Sequence, residues 1–401
     1  MRSKPTWRAI LPELVPNDEL AAASALNGIE FNLARAIGPG LAGLVIAAAG
    51  VATAFVANFV SFFGVILVVA RWKRPVEKRS TPPEGLGEAT VAAFRYVRNS
   101  PAILTVLVRT GFVMFFSSPL FALLPTVARR VNESAIGYGV LLGCFGSGAI
   151  AGALVMQRAS ARWSTERIVS TGVIILGVVI TAMSVSHRLS TLSLVMFTGG
   201  AAWVTFISLI SARAQRLAAE WVRARALAIF ILVYQGSFAI GSACWGAVAQ
   251  RYGLRAALVC AGCGTLASVA LALFAKLPDS PANLTPWVHW RLPLVREEVG
   301  LSLHSGPVLV TTSYRVIPGH EVEFTKLMHQ YARIRRRDGG YQWALFRDTE
   351  FPERYSEIFL VRSWAEHLRQ HARQTEGDRE LEQRILQCLV AAPEVRHLIH
   401  E

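Results

Sequence analysis

The chain has 401 residues, 53% of them hydrophobic and 17% charged, with a formal net charge of +14. Soluble domains carry about 25% charged residues, so a wholly soluble protein is excluded and a membrane protein with something attached is expected. From Arg291 onward 16 Lys and Arg face 16 Asp and Glu, leaving 25 against 11 before it; the bases punctuate apolar runs, as orienting loop charges do, and no nucleic-acid partner is expected.

A span needs about 20 mostly apolar residues. Eight stretches qualify: 21–48, 51–71, 101–127, 135–157, 167–186, 190–212, 224–249 and 252–276. The first contains Arg35-Ala36-Ile37-Gly38-Pro39-Gly40 and then Gly43. Proline removes a backbone donor and kinks a helix. Inside a bilayer such a defect is held only by neighbouring helices, and small residues let those neighbours approach closely. The stretch therefore reads as a hinge and packing element of a helical bundle.

Residues 72–100 form a polar linker with Arg74, Lys78, Arg79 and Pro82-Pro83. Its end, 89–97, reads as an amphipathic helix lying at the membrane interface. Cys260 and Cys263 form a C-x-x-C inside an apolar span, where small buried packing residues are expected. The linker, the 158–167 turn and the 213–225 turn are basic, which places them on the cytoplasmic side. Helix parity then puts the C-terminal region there too.

Residues 36–54 recur at 239–257 with an offset of 203 and no gap: Gly38 matches Gly241, Gly43 matches Gly246 and Gly50 matches Gly253. Weak internal symmetry between six-helix halves marks many secondary transporters. The spans preceding the second copy have no counterparts before the first, so the expectation is a bundle lacking roughly four helices at its front.

The tail, 290–401, changes pattern. Strands are expected at 308–315, 342–346, 356–361 and 395–399, with helices at 321–337, 364–373 and 379–389. The order βαββαβ is ferredoxin-like.

Several motifs carry a resemblance. Gly38-Pro39-x-x-Ala42-Gly43 resembles the fifth-helix Gly-Pro motif of exporters in the major facilitator superfamily. Pro5-Thr6-Trp7-Arg8-Ala9-Ile10-Leu11-Pro12-Glu13-Leu14-Val15-Pro16 and Ala25-Leu26-Asn27 resemble its enterobactin-exporter-like branch, the transmembrane secretion effectors. Arg223-Ala224-Arg225 stands where that branch usually has Arg-Gly-Arg before helix eleven; Ala42 and Ala224 replace glycines of the usual patterns. Ser363-Trp364-x-x-His367-Leu368-Arg369-x-His371 is similar to the antibiotic-biosynthesis-monooxygenase type of dimeric α+β barrel.

The fold class implied is an all-α polytopic membrane bundle, its eight visible spans corresponding to helices 5–12 of a 12-helix transporter, plus a C-terminal α+β ferredoxin-like domain. The expected divisions are 1–71 (remnant of the N-terminal transporter half), 72–100 (cytoplasmic linker), 101–276 (C-terminal six-helix half), 277–289 (linker) and 290–401 (cytoplasmic domain). The location implied is a bacterial inner membrane.

Ionisable groups inside spans are functional candidates. Glu30 and Arg35 are candidates for proton coupling or substrate contact, against a structural pair or snorkelling at the cytoplasmic edge. Arg109 is a candidate substrate contact, or the answer to a carboxylate on an absent helix. Arg223 and Arg225 are candidates for a cytoplasmic gate. Tyr234, Gln235, Trp203, Asn58 and Phe115 are candidate cavity residues. Trp343, Trp364, His367 and His371 suggest a pocket in the tail, yet no nucleotide loop, metal spacing or His-Cys or His-Asp constellation specifies catalysis; neither a cofactor nor a metal is expected, and enzymatic activity is not.

The function implied is secondary active, proton-coupled export of small hydrophobic or amphipathic molecules, of the drug or siderophore class, by alternating access. The expected partners are the lipid bilayer, the small-molecule substrate, protons, and a second copy through 290–401. The alternatives are a membrane-tethered scaffold whose tail is a dimeric sensor or cofactor-free oxygenase, and a non-functional transporter fragment.

Overall fold

The computed structural model describes residues 45, 49–50, 52–53, 55–68, 70–71, 84–131, 135–277, 283–287 and 302–400. Glu30, Arg35, Gly38, Pro39 and Gly43 lie outside the described residues, as does nearly all of the span expected at 21–48. The chain divides into two compact units. One comprises 1–78, 109–211 and 234–277; the other comprises 79–108, 212–233 and 278–401.

Among the described residues six helices are long and apolar enough to cross a membrane: Pro101–Val131, Gly137–Ser160, Thr165–Val185, Leu189–Arg216, Arg223–Tyr252 and Leu254–Phe274. Ahead of them α1 (Phe55–Val68) is apolar but shorter, so six of the eight expected spans reach crossing length among the described residues. The first of the six is built from α3 (Pro101–Ser117), α4 (Pro119–Ala122) and α5 (Leu124–Val131). Pro119 opens α4 at a first-turn position, where the missing N–H costs nothing. Four single helices follow, α6 (Ala135–Ser160), α7 (Thr165–Val185), α8 (Leu189–Arg216) and α9 (Arg223–Tyr252); α10 (Leu254–Ala267) then leads through a 3-10 turn into α11 (Leu271–Phe274).

Within the first unit these helices meet on small residues. A Cβ at Gly148, Gly152 or Gly200 would overlap backbone atoms of Phe197, Ala201 or Phe145, so α6 and α8 touch backbone to backbone. Gly241 lies against the Phe115 carbonyl in the same way. Gly246, the repeat counterpart of Gly43, and Gly236 have no described atom within 4 Å of such a Cβ. Leu154, Val155, Val178, Leu194 and Ile240 are all more than half exposed, at 57%, 62%, 54%, 67% and 61%, a surface suited to lipid and costly in water. Cys260 and Cys263 are exposed rather than buried, so they belong to this outer surface and not to a packed seam.

The second unit is built on one antiparallel sheet. β1 (Val308–Arg315), β2 (Tyr341–Arg347), β3 (Arg354–Val361) and β4 (Glu394–Ile399) lie in the order β2-β3-β1-β4. β1 pairs with β3 from Val308 against Val361 to Arg315 against Arg354. Alternate residues of β1 are buried, as a sheet covered on one face requires. The cover is α12 (Glu321–Asp338), which buries Phe324, Leu327, Met328 and Tyr331 on one side. Its first turn carries Glu321 and Glu323 and its last turn Arg335, Arg336 and Arg337, charges that oppose the helix dipole. α13 (Trp364–Ala372) starts on a Ser363 cap, and α14 (Glu376–Gln387) starts on a capping box of Thr375 and Asp378. The expected tail elements are present, with β1 at its expected bounds and the other ends shifted by at most three residues.

The expected interfacial helix is α2 (Leu86–Asn99), and its environment is a correction. Ala89, Ala92, Ala93, Tyr96 and Val97 are buried, and the helix packs against α12. Its inner face is mainly alanine, which fits closely against another helix; Val91 and Phe94 remain exposed on the outside.

Candidate functional site

Among the described residues, three places hold the chemistry. The first surrounds Arg109, which is 3% exposed. Its Nη1 donates to Glu166 Oε2 at 2.6 Å and lies 3.5 Å from the Ala275 carbonyl. Glu166 also accepts from the Ser170 hydroxyl at 2.9 Å and from the Leu277 backbone N–H at 2.9 Å. The carboxylate that answers Arg109 is therefore on α7, within this chain. Glu166 is the second residue of α7, and Ala275 and Leu277 follow α11. Arg109 thus stands level with two helix ends, about 12 Å along α3 from Pro101, and ties three helices together there.

The second place is the 217–225 turn. The Arg225 Nη1 lies 2.7 Å from Glu84 Oε2 and 3.4 Å from the Ala89 carbonyl. The Arg223 Nε donates to the Ala218 carbonyl at 3.3 Å. The two arginines have different work: Arg223 closes its own turn, while Arg225 reaches the linker.

The third place is in the tail. Trp364, His367 and His371 come together, joined by His397 from β4. Ring centroids are 5.2 Å apart for Trp364–His367, 4.9 Å for His367–His371 and 4.7 Å for His367–His397. Burial, helped by the neighbouring imidazoles, pushes the His367 pKa down to about 3, so at neutral pH it is uncharged and a weak base. Burial lowers His397 as well. Trp343 stands elsewhere, donating its Nε1 to Glu357 at 2.8 Å. Glu357 is fully buried and also accepts from the Tyr314 hydroxyl at 2.8 Å and from Arg335 Nε at 3.2 Å. The Arg335 guanidinium lies 4.5 Å from the Tyr331 ring centroid and 4.7 Å from that of Phe359. With three donors on it, Glu357 is committed to holding the fold.

Trp203 is buried beside Phe121 at 4.9 Å, Phe115 packs near Trp245 at 6.1 Å, and Asn58 and Gln235 are exposed. Sequence reasoning missed Glu166 and His397. For Glu166 a signal was present: an acidic residue two positions after Ser164 opens an apolar helix, at the depth where a span arginine needs a partner.

Residues 2–401 match the family model described as transmembrane secretion effector. Among curated relatives, the enterobactin exporter EntS of Salmonella typhimurium is 31% identical over 150 residues, 36% of this chain and 35% of that protein. The Salmonella typhi enterobactin exporter EntS gives the same values. The matched part thus covers about a third of the length of these relatives. Among solved structures, the inward-facing, unoccupied bacterial homologue of the human lysosomal transporter Spinster matches with a TM-score of 0.39 and 13% identity, over 66% of this chain and 71% of that one. A candidate antibiotic biosynthesis monooxygenase from Bordetella bronchiseptica matches with a TM-score of 0.21 and 25% identity, over 23% of this chain and 96% of that one.

Proposed function

We propose a function from one premise: the chain belongs to the transmembrane secretion effector family of the major facilitator superfamily. The reading is secondary active export of small hydrophobic or amphipathic molecules, with siderophores of the enterobactin kind as one cargo class and drug-like molecules as another. The observation that carries it is the set of six apolar helices of crossing length under a family match spanning residues 2–401. The divisions 1–71, 72–100, 101–276, 277–289 and 290–401 belong to this reading, with the eight spans standing for helices 5–12.

Transport would proceed by alternating access about a midplane site. Protons are the coupling ion in this reading, with Glu30 and Arg35 as the coupling pair. Gly38, Pro39 and Gly43, echoed by Gly241, would form the close-packed hinge, with Arg223 and Arg225 as the cytoplasmic gate and Arg109 tied to Glu166. The tail is cytoplasmic in a bacterial inner membrane. What supports its side is the composition of the second unit, which gathers the linker, the basic 212–233 segment and the tail, the segments that loop charge assigns inward. A homodimer through 290–401 is part of the reading. The edge strand β4 leaves Val395 and Leu398 each 51% exposed, and such an edge is a ready template for pairing.

The test is efflux from proteoliposomes of the whole chain loaded with ethidium or enterobactin. The expected result is release that accelerates when an inward proton gradient is imposed and slows in Glu30→Gln. Release of neither probe above empty liposomes overturns export of these classes; release indifferent to the gradient overturns the coupling alone.

A further inference from the structure

The second unit contains a three-way junction of the linker, the 217–225 turn and the tail. Glu84, just ahead of α2, lies 2.7 Å from Arg225 Nη1 at the start of α9 and 2.9 Å from Arg373 Nη2 after α13. Glu88 faces Arg369 at 3.1 Å. Arg95 lies 2.7 Å from Glu366 and donates its Nε to the Arg337 carbonyl at 3.2 Å. Tyr96 takes hold of the turn itself. Its hydroxyl donates to the Leu217 carbonyl at 3.1 Å and accepts from the Ala219 N–H at 3.0 Å. Trp221 is set edge-on to Tyr96 at 5.5 Å, while the Arg373 guanidinium lies 4.6 Å from the Trp221 ring centroid.

The tail's charges have partners inside the tail as well as across the junction. Glu366 pairs with Arg369 at 2.9 Å and Arg373 at 2.8 Å. Arg373 donates to the Asp338 carbonyl at 2.6 Å. Arg337 is held by Asp338 and Asp378 at 2.8 and 2.7 Å. If the linker left, none of these buried groups would lose its last partner, so separation does not carry the large penalty of an orphaned buried charge. On the linker side, Glu84, Glu88 and Arg95 would pass into water. The tail also has its own two apolar clusters, one around Phe324, Met328 and Tyr331 and one around Val308, Phe359 and Trp364. The linker adds three buried alanines together with Tyr96 and Val97, and the tyrosine packs on Trp221 of the turn. The junction is therefore rich in ion pairs, and the buried charges of the tail keep partners of their own when it is divided.

We propose that this junction is a charge latch, by which the tail fixes the linker helix to the 217–225 turn and from which it can detach while remaining folded. Tail occupancy by a ligand or a partner would then be transmitted to the linker and to the start of α9. The inference stands independently of what the protein exports.

Hydrogen exchange on the whole chain in lipid nanodiscs tests it. Raising salt from 0.1 M to 1 M shortens the screening length from about 10 Å to about 3 Å. Exchange at 86–99 and 217–222 should rise together, roughly tenfold or more, the amount expected for each 1.4 kcal/mol removed, while β1 and β3 stay protected. Glu84→Gln should do the same at low salt. Glu366→Gln should release the linker further, and Glu84→Gln keeps the test informative if that variant unfolds the tail. Unchanged exchange at 86–99 in both high salt and Glu84→Gln overturns the latch. So does simultaneous loss of protection in β1, which would make the linker part of the tail's core.

Discussion

Replacing Arg109 by Ala tests whether the ion pair at the helix ends supports the membrane unit. Removing one partner of a buried pair costs about 3–5 kcal/mol because the other charge is stranded. Two facts reduce that here. Glu166 keeps its bonds to the Ser170 hydroxyl and the Leu277 N–H, and its side chain is 20% exposed, against 4% for Arg109. The expected loss is about 2–3 kcal/mol, which corresponds to roughly 5–10 °C in apparent Tm at about 2–4 °C per kcal/mol. The assay is thermal unfolding in detergent, followed by tryptophan fluorescence and by the monodisperse fraction after heating. A separate cycle uses Arg109→Met, Glu166→Met and the double variant R109M/E166M, which replaces both charges with apolar stems. The double variant should be more stable than the sum of its single variants predicts by about 1–3 kcal/mol. If Arg109→Ala lowers the apparent Tm by less than about 1 °C, or if the two losses simply add, the pair is not what joins α3, α7 and the end of α11.

Acid should weaken the tail through two groups. His367, whose pKa falls from 6.5 to about 3 in the fold, contributes stability that is complete above pH 6.5 and is lost as pH falls towards 3, about 3 kcal/mol of it by pH 4. His367→Gln should flatten a calorimetric stability profile over that window; an unchanged slope would rule out the buried neutral imidazole. Burial alone would raise the Glu366 carboxyl, but hydrogen bonding and charge from Arg373 and then Arg95 outweigh it and hold the pKa at about 2 instead of 4.5. Its contribution is present above pH 4.5 and fades as pH falls towards 2, about 3 kcal/mol in all, so Glu366→Gln should lose it already at pH 7. In the membrane unit, Gly200→Leu should abolish monodispersity on size-exclusion chromatography, because its Cβ has no space beside Phe145. Gly246→Ala, inside α9 and with no described atom near its Cβ, should leave the apparent Tm unchanged or raise it by what about 0.5–1 kcal/mol allows. Equal behaviour of the two variants would contradict the packing of α6 on α8.

The parts legible in the sequence are those written in local pattern. The six spans follow from apolar length alone, and the tail strands from alternation such as Val308-Leu309-Val310-Thr311-Thr312. Where pattern was ambiguous, a third element decided. Residues 89–97 carry the period of a helix with one less polar face, a period that suits a membrane interface and a protein groove equally. The residues on the buried side are Ala89, Ala92, Ala93 and Tyr96: small residues admit another helix closely, and a tyrosine there needs a hydrogen-bond partner, here the 217–219 backbone. Ion pairs were the least legible, since charge type says nothing of distance along the chain. Glu84 and Arg373 are 289 positions apart, and Arg109 and Glu166 are 57 apart. In both cases the arginine was noticeable or ordinary by its surroundings, and its partner was not. Arg109 stood out because it interrupted an apolar run; Arg373 lay in a polar tail where one more base attracts no notice. The tail's tie to the linker therefore emerges only when the sheet, α13 and α2 are assembled and their charges are seen to share partners.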